Sequence, residues 1–157
     1  MNSQPFISII ITTYNRSQLI KRALNSLILQ AETDWEAIII DDGSEDDTYS
    51  QVLPYLTSHN NIKYLRRLHG GEASAKNEGI NASRGRFISF LDSDDEYDPI
   101  HLKFRKSILI QNPATRFLFG GVKILGNQFV PDRIDPTNEI NLASCAIGGT
   151  FFVDGIL

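Results

Sequence analysis

The segment Asp92-Ser93-Asp94-Asp95 places three carboxylates within four residues, directly after the apolar run Phe87-Ile88-Ser89-Phe90-Leu91. Such charges repel one another at neutral pH. A hard divalent cation offsets the repulsion, because Mg²⁺ or Mn²⁺ prefers carboxylate oxygen and keeps coordination positions open for phosphate. Asp92 and Asp94 stand two apart after an extended strand, so both can face one pocket. They are the expected metal ligands. The plainer reading is a solvated acidic loop capping the next helix. That reading is adopted for Asp98 and competes evenly for Asp95.

Three other segments carry polar groups in comparable positions. Asp41-Asp42-Gly43-Ser44 follows Ile38-Ile39-Ile40. A carboxylate at a strand's carboxyl end can accept from a ribose hydroxyl or a base N–H, and one Asp of the pair can close a turn while the other binds. His69-Gly70-Gly71 is a turn entering a helix, where the backbone N–H groups around Gly71 and the Lys76 ammonium, about one turn in, suit an anion. His69 itself is left open between a chemical role and a plain loop residue, and His59 and His101 are read as surface residues. Thr12 and Tyr14 offer a hydroxyl and a ring, the latter to flank a nucleobase or to pack in its loop.

The elements that must hold these segments follow from periodicity. Phe6 to Ile11, Trp35 to Ile40, Ile62 to Leu65 and Arg86 to Leu91 are apolar, β-branched runs of strand length, and Phe117 to Leu125 and Ile147 to Val153 extend the series. Between them, Leu19 to Ile28 has helical spacing with Asn15 available as a cap. Ser44 is expected to cap a short acidic helix that Pro54 ends or kinks. Glu72 to Ala82 reads as a helix closed by Gly85, and Asp98-Pro99 opens another carrying Ile100, Leu102, Phe104, Ile108 and Leu109. Gly126 to Asp135 reads as a polar loop. The alternation predicts an α/β fold, a mainly parallel sheet covered by helices on both faces. Ligands of such sheets sit beyond the carboxyl ends of the strands, so all four polar segments are expected along one edge.

The chain has 157 residues, 41% of them hydrophobic, and a formal net charge of −4. It is long enough for one globular domain, and its charge argues against a broad nucleic-acid surface. The single cysteine, Cys145, excludes an internal disulfide and a cysteine zinc site, and it reads as a small buried apolar residue. No signal-peptide pattern or membrane-length apolar run is present, so the expected location is cytoplasmic, or peripheral at the inner face of a membrane.

Taken in order, these stretches resemble the inverting glycosyltransferases of family 2, which have the GT-A, Rossmann-like nucleotide-diphospho-sugar transferase fold. The resemblance rests on Ser8 to Arg16, Ile39 to Ser44, Gly70-Gly71 leading to Ala75-Lys76-Asn77-Glu78-Gly79, and Gly85 to Asp95, within roughly Phe6 to Leu109. It implies a nucleotide diphosphate sugar donor, often uridine-linked. Thr12, Tyr14, Asp41 and Asp42 would surround the nucleoside, with Asp42 as partner of the base and Gly71 and Lys76 beside the donor. Asp92-Ser93-Asp94 would be the family's DxD motif, with Asp94 the main ligand of Mn²⁺ or Mg²⁺ and Asp92 holding metal or ribose. The implied reaction is inverting transfer to a hydroxyl of a carbohydrate or lipid-linked acceptor. Lys76 departs from the family's more usual Arg. The family's catalytic base lies in the acceptor half, beyond the matched region; Asp154 could begin that half but is not taken as the base. The expectation is therefore one nucleotide-sugar-binding domain over residues 1–157, truncated before or within the acceptor half, with a non-catalytic binding module as the alternative. Phosphatase-like folds, which usually carry their Asp motif on the first strand, and phospho-receiver folds, whose acid pair follows it, fit less well: Ile7 to Ile11 comes first here.

Overall fold

The computed structural model describes residues 4–119 and 151–154. Its elements are β1 (Ile7–Thr13), α1 (Ile20–Ile28), β2 (Trp35–Asp41), α2 (Thr48–Ser58), β3 (Ile62–Arg66), α3 (Glu72–Ala82), β4 (Phe87–Phe90), α4 (His101–Gln111), β5 (Phe117–Phe119) and β6 (Phe151–Asp154). The continuous apolar runs of β1 and β2 become the centre of the sheet, because only a strand covered on both faces can bury isoleucine at successive positions. Strand order is β3-β2-β1-β4-β6-β5. The first four strands are mutually parallel, and β6 is antiparallel to both β4 and β5.

Alternation along β1 divides the core. Ile7, Ile9 and Ile11 face α1, α2 and α4 through Ile20, Leu24, Leu27, Val52, Leu102 and Leu109. Ile10 faces the other side with Ile38, Ile40, Ile88 and Ala75 of α3. Each fully buried isoleucine contributes roughly 1.5–3 kcal/mol over leaving it exposed. Helix α3 approaches closely because it presents small residues: a Cβ on Gly79 would lie 2.4 Å from Ile10 Cγ2. Among the described residues no helix is long and apolar enough to cross a membrane.

Several local expectations are corrected. Asn15 does not cap α1; its side chain accepts from Glu45 N at 2.8 Å, and Leu19 occupies the cap position. Ser44 does not cap α2, since its hydroxyl accepts from Asn15 N at 2.9 Å, while the Asp46 carboxylate takes Thr48 N at 3.0 Å. Pro54 lies inside α2, which runs on to Ser58. Gly85 does not close α3, which ends at Ala82; it sits where β4 begins and passes against the start of β1. Leu102 and Leu109 of α4 are buried, whereas Phe104 of the same helix and Ile100 just before it are exposed, so only part of the expected apolar set faces the core. Asp98 is not the helix cap: it accepts from Ile100 N at 3.0 Å one turn earlier, and α4 starts at His101. Of the strand expected over 117–125, residues 117–119 are described; Cys145 and the loop at 126–135 lie outside the described residues. Asp154 pairs in register with Phe87, at the end of β4 remote from Asp92.

The amino end of the sheet is tied by one buried carboxylate. Glu36, 1% exposed, accepts from Ser8 Oγ at 2.8 Å, Arg84 N at 2.8 Å and the Arg84 and Lys63 side chains. Burial pushes its carboxyl up, but the hydrogen bonds from Arg84, Ser8 and Lys63 outweigh it and hold the group below the usual carboxylate range. A depressed folded-state value stabilises the fold above the unfolded value, and this stabilisation is lost as pH falls through the folded one. Glu36→Gln is therefore expected to be less stable than wild type at pH 7 and to lose less melting temperature between pH 6 and pH 3. Thermal melts across that range check it.

Candidate functional site

The carboxyl ends of β1, β2 and β4 open onto a cleft of about 370 Å³. From β1 and its loop come Thr12, Thr13, Tyr14 and Arg16; from the end of β2, Asp42; from the connection after β3, His69; from α3, Glu72 and Ala75; and after β4, Asp92, Ser93 and Asp94. The structure thus brings together five of the expected site residues, Thr12, Tyr14, Asp42, Asp92 and Asp94. Asp41, Gly71 and Lys76 are not among its lining residues, although Gly71 N donates to Asp42 and Lys76 Nζ lies 3.3 Å from Asp92 Oδ1.

Two loops flank one side of the cleft, and they are laced together. Asn15 N donates to Ser44 Oγ, Arg16 N to Thr48 Oγ1 at 3.2 Å, and Ser17 N to Asp46 Oδ2 at 2.9 Å, while Glu45 N donates back to Asn15. Asn15 adopts φ 52°, a left-handed conformation that asparagine tolerates and that turns the chain after Tyr14. Asp46 contacts hold its carboxyl down at about 2 against the opposing effect of burial, so it is charged at every working pH.

The adjacent aspartates divide their work. Asp41 is 1% exposed; it accepts from Ser44 N at 2.7 Å and from the Tyr64 hydroxyl, closing the turn. Asp42 clamps the segment after β3. Its Oδ1 accepts Gly70 N at 3.0 Å and lies 3.1 Å from Arg67 Nε; its Oδ2 accepts Gly71 N at 2.8 Å and lies 2.8 Å from His69 Nδ1. Burial pushes the Asp42 carboxyl up, but the Gly71 and Gly70 N–H groups, with His69 and Arg67, hold it below its ordinary range. Gly71 has φ 90°, which strains any residue bearing a Cβ, and this lets the chain turn into α3 while delivering its N–H to Asp42. The N–H groups expected to await an anion are thus engaged by an internal carboxylate.

The acidic loop is anchored from below. Leu91 N donates to Ile10 O at 3.0 Å, and Asp95 N closes a turn on Asp92 O at 3.0 Å. Tyr97 returns the chain to the core: its N–H donates to Ser26 Oγ at 3.0 Å, and its hydroxyl donates to Phe90 O at 2.9 Å and accepts from Ser89. The His101 ring stacks on Tyr97 at 4.1 Å. His101 is half-buried rather than a surface residue, and burial, then Arg105, bring its pKa down to about 4; His59 is half-buried as well. Lys76 Nζ reaches Glu72 Oε1 at 2.5 Å and Asp92 Oδ1 at 3.3 Å. Burial acts to lower its pKa, but the two carboxylates raise it and keep the ammonium charged. Burial, then Asp92 and Asp94, push the Asp95 carboxyl up.

Sequence reasoning missed Thr13, Arg16, Glu72, Ala75 and Ser93 as lining residues and left His69 open. A signal was present for two of them. Arg16 lies two residues past Tyr14 in the same post-strand loop, and Glu72 is the first residue after the glycine turn. The Arg16 side chain has no hydrogen bond or ion pair among the described residues, which leaves a guanidinium uncommitted beside the cleft.

Residues 8–119 match the model of glycosyl transferase family 2. The chain belongs to that family. The fold agrees: the family-2 chain superposes on the Staphylococcus aureus (S. aureus) protein TarS in complex with UDP-GlcNAc with a TM-score of 0.73 and 28% identity, over 80% of this chain and 36% of that one. It is thus a GT-A glycosyltransferase domain. It is also 32% identical over 147 residues to the Escherichia coli UDP-Glc:alpha-D-GlcNAc-diphosphoundecaprenol beta-1,3-glucosyltransferase WfgD, covering 90% of this chain and 57% of that protein. To the Escherichia coli chondroitin synthase it is 38% identical over 109 residues, 66% of this chain and 16% of that one. The family-2 chain therefore spans between about a sixth and just over half of the length of these relatives.

Proposed function

We propose that the cleft binds a nucleotide diphosphate sugar, UDP-linked, together with Mn²⁺ or Mg²⁺, and that the protein transfers the sugar to a hydroxyl of a carbohydrate or lipid-linked acceptor with inversion. The observation that carries this reading is the convergence of Asp92 and Asp94 with Thr12, Tyr14 and Asp42 in one cleft at the carboxyl ends of parallel strands. TarS, whose crystal structure holds UDP-GlcNAc, and WfgD, named for a UDP-Glc donor and a diphosphoundecaprenol acceptor, favour a uridine donor. A lipid-linked acceptor would place the reaction at the cytoplasmic face of a membrane.

The donor set fits a divalent ion shared with the ligand. Among the described residues no group of three or more metal-ligating side chains converges. Two carboxylates at the cleft suit Mg²⁺ or Mn²⁺, which take the rest of their shell from phosphate oxygens and water. Asp94 would be the main ligand and Asp92, already shared with Lys76, the second. When bound, the ion would neutralise charge on the departing diphosphate. The chain's own residues do the positioning. The Tyr14 ring and Thr12 hydroxyl bound the nucleoside, Arg16 and Lys76 supply positive charge near the phosphates, and the Tyr97 anchor holds the acidic loop to the sheet. In the transfer itself, an acceptor hydroxyl gives its proton to a carboxylate base, its oxygen attacks the anomeric carbon, and the nucleoside diphosphate leaves from the opposite face. No residue of this chain is assigned as that base.

A thermal-shift screen of nucleotide sugars tests the reading, because a ligand bound only by the native state raises the melting temperature. UDP-sugars are expected to raise it by several degrees with Mn²⁺ and little without it. No shift with any nucleotide sugar would defeat the proposal.

A further inference from the structure

The loop that carries the acidic residues is closed at its base by one side chain. Strand β4 stays in register with β1 as far as Ile10 opposite Phe90, and with β6 as far as Phe152 opposite Ser89. Strand β1 runs on to Thr13, paired there with Asp41 of β2, so the chain leaves the sheet at Phe90 and the cleft opens past it. It returns to the core at Tyr97, which is 6% exposed. The Tyr97 hydroxyl donates to Phe90 O at 2.9 Å and lies 2.6 Å from Ser89 Oγ. One phenol oxygen thus joins the entry of the loop to its exit. The Tyr97 N–H is held on α1 by Ser26 Oγ at 3.0 Å, and the ring stacks on His101. A second tie, Arg22 Nη2 to Glu96 Oε1 at 2.5 Å, is 52% and 41% exposed, and exposed pairs hold little. A carbonyl that loses its donor away from water is the larger loss. Phe90 also touches the other side of the site: Lys76 Nζ stands 5.8 Å from the centre of its ring and 3.3 Å from Asp92 Oδ1.

We infer that Tyr97 is a positioning residue for the divalent ion: its hydroxyl, by tying Phe90 to the exit of the loop, fixes the separation of the Asp92 and Asp94 carboxylates. This rests on the metal-dependent reading above and extends it to a residue that does not line the cleft. Like charges on a loose loop drift apart, and an arriving ion must then draw them together. With the base of the loop closed, that ordering is complete before the ion binds, so it does not subtract from affinity. A plain core role for Tyr97 predicts something different: removal of the hydroxyl would lower stability and leave the ion's affinity alone.

The test is calorimetry of UDP across a Mn²⁺ titration, paired with thermal melts, on the 157-residue chain and on Tyr97→Phe and Val52→Ala. Phenylalanine keeps the ring against His101 and removes one oxygen. Val52→Ala trims the same core under α2 and controls for lost stability. Both variants are expected to melt a few degrees lower than wild type. In Tyr97→Phe the Mn²⁺ concentration that half-saturates UDP binding is expected to rise about 10-fold, the low end for a group behind a metal ligand, while the weak metal-free binding of UDP stays within about twofold. Val52→Ala is expected to keep the wild-type Mn²⁺ requirement. An unchanged requirement in Tyr97→Phe overturns the inference, as does an equal rise in Val52→Ala. In both cases the metal-dependent donor cleft still stands, whereas a wild type whose UDP binding ignores Mn²⁺, or that binds no UDP, defeats that reading along with the inference.

Discussion

Asp94→Ala is expected to weaken Mn²⁺-dependent UDP binding by about 100-fold or more, beyond the effect of disturbing a group that merely supports a metal ligand, while leaving the melting temperature of the free protein essentially unchanged. The two halves of this expectation have separate causes. Asp94 is exposed and makes no hydrogen bond or ion pair among the described residues, so the fold loses no contact when its carboxylate goes. It shares its loop with two further carboxylates, and Asp95 already has its carboxyl pushed up by burial and then by Asp92 and Asp94. A carboxylate with no bond of its own in that company is placed to take an arriving cation. Calorimetry of UDP with and without Mn²⁺, paired with thermal melts of the apo protein, reads both halves. Binding that needs no metal and ignores the substitution would remove the assignment of Asp92 and Asp94 as a metal site.

The opposite pattern is expected for Gly85→Ala: a large loss of stability from a residue remote from the acidic loop. A Cβ there would lie 2.4 Å from Ser8 N, 2.7 Å from Ser8 Oγ and 2.8 Å from Ile7 C. Two of those atoms are backbone of a central strand, which cannot step aside as a side-chain end would. The crowded hydroxyl is also the one that receives Gly85 N at 2.8 Å and donates to Glu36. Overpacking in a core costs typically 1–3 kcal/mol, and a clash with strand backbone belongs at the upper end, about 3 kcal/mol. For a chain of this size that is a drop of roughly 6–12 °C in melting temperature. Differential scanning calorimetry measures it, and a change below about 2 °C would mean that the β4 entry can move away from β1.

Much of the architecture was legible because the runs are extreme. Ile9-Ile10-Ile11 and Ile38-Ile39-Ile40 tolerate only a strand buried on both faces, and the glycine turn before Glu72 left little choice for the start of α3. The gathering of post-strand segments followed from parallel topology alone. What could not be read was the destination of each polar side chain. Asn15 and Ser44 both look like caps for the residues that follow them, yet they bind each other's loops across about thirty positions of sequence. Asp41 and Asp42 are chemically identical neighbours, and only the placement of Tyr64 and of the segment after β3 separates a turn from a clamp. His101 looked like a solvent residue because nothing near it in sequence announces that Tyr97 turns inward to stack on it.

The cross-stitching between the segments after β1 and β2 carries one more consequence. Four backbone N–H groups, those of Asn15, Arg16, Ser17 and Glu45, are already satisfied by the opposite segment before any ligand arrives. That face of the cleft is preorganised, and a guest meeting it immobilises little of the protein. The entropy of ordering those residues was lost during folding, so it does not subtract from affinity.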